Sequence, residues 1–105
     1  MTEPADDRFQ RYLTEAANKL AEAATQLKTG DGDAARISMK RGIDLVAGAR
    51  SIVPDLDEAT DHQLFSVTRA VNVMLVNPSH LEPPTPLLAA ARLALAGALQ
   101  PKASA

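Results

Sequence analysis

From Phe9 to Leu27 the chain places an apolar residue at alternating steps of four and three without a break: Phe9, Leu13, Ala16, Leu20, Ala23 and Leu27. On an α-helix that spacing is one continuous stripe, whereas on a strand it would fall on both faces. The opposite side carries Arg11, Glu15, Asn18, Glu22 and Thr25, so the segment is amphipathic with one face for a core. The same rhythm resumes in Ala35, Met39, Gly42, Val46, Ala49 and Val53. Only a few residues separate the two stripes. Helices are therefore predicted over about 6–29 and 33–53, folded back on each other in antiparallel fashion.

The punctuation agrees with these spans. Asp6 or Asp7 can cap the first helix and Lys28 stands near its negative end, while Gly30 occupies the place where a left-handed C-terminal cap favours glycine. Asp31 or Asp33 can cap the second. Two glycines lie inside that helix, each costing about 1 kcal/mol relative to alanine. Gly42 falls on the apolar stripe, where it would admit a close neighbour; Gly48 falls on the polar side, where the sequence offers no reason for it. Val53-Pro54 marks the boundary.

A third helix is predicted over about 58–76, begun by Asp55, Asp57 and Glu58, stopped at Asn77-Pro78, with Leu64, Val67, Val71, Met74 and Leu75 as its core stripe. The segment Pro78 to Pro86 holds four prolines in nine residues and reads as a stiff, extended connection. Thr85-Pro86 makes a cap and first-turn pair for a fourth helix over about 86–100, whose strong side is Leu87, Leu88, Ala91, Leu95, Ala98 and Leu99. No β-type alternation of useful length occurs. These segments predict a single helical domain, an all-α antiparallel four-helix bundle, with disordered termini.

Charge is divided unevenly: residues 1–58 hold 19 of the 24 charged side chains, and the rest of the chain holds only Asp61, Arg69, Glu82, Arg92 and Lys102. The second half must hide more of its surface than the first. The fourth helix, with only Arg92 and Gln100 plainly polar, should be either central or covered by something else. Net charge is −2, which gives no electrostatic reason to expect nucleic acid or an anionic membrane as partner. The basic group Arg36, Lys40 and Arg41 has no interleaved aromatic residues for base stacking and reads as a solvated helix face. The longest apolar run, Leu87 to Leu99, is too short for a membrane span. Cysteine is absent and the start, MTEPADDRFQ, is acidic rather than signal-like; a cytoplasmic setting is expected.

Candidates for chemistry are few. Glu58 and His62 share a helix face, yet the Glu-x-x-His pairs of a bundle metal site are missing, and neither the first nor the fourth helix supplies an inward carboxylate. His80 lies in the proline-rich connection. The turn Gly30 to Asp33 lacks the further ligands of a calcium loop. No catalytic, cofactor or metal residue is expected, and the chain is read as non-enzymatic. The alternative that uses a reactive side chain is a phosphorelay carrier of histidine-phosphotransfer type, with His62 as acceptor.

The stretches LAEAATQLKTGD, AARISMKRGIDLV, PDLD and QLFSVTRAVNVMLVN resemble the flagellin-specific export chaperones. The elements of likeness are Leu20, Ala23, Leu27, Gly30-Asp31, Ala35, Gly42, Asp44-Leu45-Val46 and Leu56-Asp57, and the resemblance spans roughly residues 13–99. It implies a helical bundle that keeps a disordered partner segment bound and unassembled. Independently of it, Phe65, Val73 and Val76 fall off the core stripe of the third helix, around Arg69, and Leu93 points away from the core side of the fourth. A contiguous exposed apolar patch marks an interaction site. The four are therefore expected to meet a client or a second copy in a homodimer, unless the proline-rich segment folds back and packs Leu81 over Phe65.

Overall fold

A computed structural model describes residues 4–82 and 85–99. Four helices follow one another, α1 (Ala5–Lys28), α2 (Gly32–Ile52), α3 (Glu58–Val76) and α4 (Pro86–Leu99), and among the described residues there is no strand. The fold is an all-α four-helix bundle. Sequence periodicity placed each helix bound within a residue of these limits, apart from the end at Gln100, which lies outside the described residues together with most of the termini expected to be disordered. Pro78–Leu81, read from its prolines as extended, is instead a short 3-10 turn. Proline tolerates a first helical turn, and the Asn77 side chain accepts from the Ser79 backbone N–H at 3.2 Å to start it.

Two hairpins build the bundle. α1 packs along the length of α2 and α3 along α4, while the seams α1–α4 and α2–α3 are much less extensive. The result measures 41 × 28 × 22 Å. The first hairpin closes as its residues dictate. Gly30 adopts φ +82°, the Asp31 N–H donates to Gln26 O at 2.8 Å and the Gly30 N–H to Leu27 O at 3.2 Å, which satisfies the last carbonyls of α1. Asp31, not Asp33, then caps α2 by accepting from Ala34 N–H at 3.2 Å. Asp57 caps α3 in the same way through Thr60 N–H. At the other end of α1 the expectation fails: the helix starts behind Pro4 with no side-chain cap, and Asp6 and Asp7 lie inside its first turn, near the positive end of the dipole.

The stripes are the core. All six α1 residues of the stripe are buried, as are Ala35, Met39, Gly42, Val46 and Ala49 of α2, Leu64, Val67, Val71 and Met74 of α3, and Leu88, Ala91, Leu95 and Ala98 of α4. Leu75, Leu87, Leu99 and Val53 are half-buried at the margins. Ser38 is the one buried polar side chain among the described residues, and its hydroxyl donates to Gln26 Oε1 at 2.8 Å, tying α2 to α1. A second cross-tie, Arg50 Nε to Asp61 Oδ1 at 2.8 Å, joins α2 to α3 nearer the surface.

Both internal glycines of α2 have a packing reason. A Cβ at Gly42 would stand 3.1 Å from Leu20 Cδ2, so the absence of a side chain lets α1 and α2 approach closely. Gly48 is not on a free polar side: a Cβ there would meet the Tyr12 ring at 3.0 Å. Tyr12 sits off the α1 stripe and is half-buried, which is why the stripe gave no hint of it.

Candidate partner-binding surface

The helical period puts Phe65 and Val76 almost in line on α3, about 16 Å apart along its axis, with Val73 on the same outer half. All three are exposed, Val76 to 80%, Phe65 to 50% and Val73 to 37%. Val71, Met74, Val67 and Leu64 take up the inner half, so the bundle has no second core to receive the outer residues. Arg69 and Asn72 stand exposed among them. Leu81 turns inward and packs against the core, and it leaves Phe65 half exposed; the described part of the loop is not a cover for this face.

Leu93, 76% exposed, belongs to a different surface. It lines a depression of about 450 Å³ with Ala17 of α1 and with Ala89, Ala96 and Leu99 of its own helix. A second depression of about 380 Å³ continues the first, sharing Ala89 and Arg92 and reaching Ala24 and Lys28 of α1. Together they form a groove along the α1–α4 seam. The sequence-predicted residues are thus divided, three on the outer face of α3 and one on the flank of α4 that looks toward α1.

The fourth helix is not central, and no described residue covers its outer side. Its inner side is buried, but Ala89, Ala90, Leu93, Ala96 and Gly97, five of its fourteen residues, are apolar or small and open to water. Small side chains make that surface low, and Leu93 and Arg92 are the large side chains on it. Periodicity marked Leu93 alone, because alanine is neutral in a search for misplaced large residues.

Sequence reading missed Ile37, 57% exposed on α2. It borders a depression between α2 and α3 with Arg36, Lys40, Ile43, Asn72 and Leu75. The signal was present: Ile37 lies roughly 160° around the helix from Met39, the same criterion that singled out Phe65. Arg36, Lys40 and Arg41 are exposed, as a solvated helix face requires.

His62 is exposed near the start of α3, and its backbone carbonyl accepts from Ser66 Oγ at 3.0 Å. His80 is half-buried in the 3-10 turn. Among the described residues no group of three or more His, Cys, Asp or Glu could hold a metal ion, and no buried side-chain nitrogen or oxygen lacks a hydrogen-bond partner. No helix of the described residues is long and apolar enough to cross a membrane. No protein-family model, curated protein or solved structure matches the chain.

Proposed function

We propose that this protein is a non-enzymatic chaperone or adaptor that holds a partner helix or a disordered segment against its exposed apolar surfaces, Phe65, Val73 and Val76 on α3 and Leu93 on α4, in the cytoplasm. The observation that carries the reading is the open outer side of α4. A helix so poor in charge is normally shielded on all sides, and here the described residues leave its outer side open. Large exposed apolar patches on a folded domain mark sites for partners. The resemblance to flagellin-specific export chaperones supplies a client to try first.

A flagellin carboxy-terminal segment titrated calorimetrically into the full chain should bind with a strongly negative heat-capacity change, the mark of apolar burial coupled to folding of the ligand. Absence of binding at tens of micromolar removes the flagellin client. Loss of all binding by every amphipathic or unfolded segment tried removes the adaptor reading itself. A second copy of the chain is the other occupant consistent with the same surfaces, and it is treated by its oligomeric state.

The exposure of His62 on a helix surface favours one other reading, a phosphorelay carrier. Incubation with a phosphorylated receiver domain should then label wild type and leave His62→Ala unlabelled. Equal labelling of the two ends it.

A further inference from the structure

We infer that the groove along the α1–α4 seam is a docking site for one amphipathic helix that carries acidic side chains beside its apolar stripe. This deepens the adaptor reading and rests on it. Alanines line both sides of the groove, Ala17 and Ala24 from α1 and Ala89 and Ala96 from α4, together with the buried Leu27 and Leu88, and Leu93 and Leu99 stand at its α4 end. Side chains as small as alanine let a foreign helix axis come close, as Gly42 does for α1 and α2 inside the bundle. From Pro86 to Leu99 the wall is about 20 Å long, room for about 14 residues of helix.

Charge selects the occupant. The groove's charged residues are Lys28 and Arg92, both basic on a chain whose net charge is −2, and no acidic residue lines it among the described residues. Among the described residues neither cation forms an ion pair. Lys28 stands at the end where α4 begins, and the first turn of α4 has no acidic residue beside its positive end. Pro86 and Arg92 are about 9 Å apart along α4, close to two turns. A partner helix with carboxylates at i and i+7 would set one near Lys28 and the start of α4 and the other near Arg92.

A second copy is disfavoured by the same residues. A two-fold contact uses one patch on both subunits, so it would bring Lys28 and Arg92 of each copy together with no carboxylate in the groove to separate them. The steric fit is open to any helix, but the charge pattern fits an acidic one.

The test uses the full chain and two fluorescein-labelled model helices of about 14 residues with the same leucine and alanine stripe, one flanked by glutamates and the other by lysines. Fluorescence anisotropy should show the acidic helix binding about tenfold tighter than the basic one at low salt, with the gap shrinking as salt is raised. Lys28→Glu with Arg92→Glu should reverse that preference, and Ala89→Gln with Ala96→Gln should weaken both peptides. Because all four positions are exposed or surface-lining, circular dichroism of these variants should match wild type. Equal affinity for the two helices overturns the inference, and so does no binding of the acidic helix up to about 100 μM, weaker than most specific complexes. Acidic-helix binding that survives the groove variants but is lost in Phe65→Glu with Val76→Glu overturns this site and leaves the adaptor reading in place.

Discussion

Two helix-interior glycines, Gly42 and Gly97, differ in what a methyl group would touch, and that difference sets the sign of each Gly→Ala change. Alanine gains about 1 kcal/mol over glycine in a helix interior wherever space allows. At Gly97 the space is contested only by the Gln63 amide at 3.0 Å, the free end of a flexible side chain at the surface. Gly97→Ala should stabilise the fold by about 0.5–1 kcal/mol in urea denaturation. At Gly42 the obstacle is Leu20, itself fully buried, with Ala16 O behind it at 3.6 Å. Overpacking there costs about 1–3 kcal/mol and exceeds the helix gain, so Gly42→Ala should destabilise. Two identical substitutions with opposite signs would confirm that the α1–α2 contact is set by Gly42. The same sign at both sites would mean that Leu20 can move aside. Gly30 is a third case: with φ +82° the penalty lies in the backbone, and Gly30→Ala should cost about 1–2 kcal/mol although nothing stands within 4 Å of the added methyl.

At the scale of elements, the first hairpin is fixed by both of its ends. Asp31→Ala removes the acceptor for Ala34 N–H and should cost about 0.5–2 kcal/mol, whereas Asp33→Ala, inside the first turn, should cost only the dipole contribution of about 0.3–1 kcal/mol. Equilibrium unfolding of the two single variants measures the difference, and equal losses would contradict the assigned cap. The helices themselves were legible in the sequence because a 4-3 rhythm is a local property, and the glycine and proline that end each helix act on their own neighbours. What was not legible depends on residues far apart. Tyr12 against Gly48 is a contact across two helices from positions outside both stripes. The alanines of the α1–α4 groove are ordinary helix residues until two walls face each other. Pro78–Leu81 was misread because proline composition forbids a helix interior but not a single tight turn begun by Asn77. For the candidate surface, single-helix periodicity gave Phe65, Val73, Val76 and Leu93 their outward positions; that Leu93 looks toward α1 needed the seam.

At the scale of the whole molecule the question is whether these apolar surfaces join two copies. Full burial of four large apolar side chains contributes about 1.5–3 kcal/mol each, an upper sum of about 6–12 kcal/mol, and Phe65 and Val73 are already partly shielded within the monomer. Association costs an estimated 4–15 kcal/mol before any gain appears. The four also lie on two surfaces, and a single two-fold contact would have difficulty using all of them. Self-association through these residues should therefore be weak, with sedimentation equilibrium showing mainly monomer at tens of micromolar and a dimer growing in only toward millimolar concentration. The double variant Val73→Glu, Leu93→Glu should remain folded, since Leu93 is 76% exposed and Val73, though partly shielded, lies outside the core; the Leu93 change should cost about 0.5 kcal/mol or less and the Val73 change somewhat more. It should also lose whatever dimer the wild type forms. A wild-type dimer stable at micromolar concentration that the variant dissolves into folded monomers would make the homodimer, not a client, the main use of this surface. An unfolded variant would mean that Val73 and Leu93 belong to the core, against the exposure on which the adaptor reading depends.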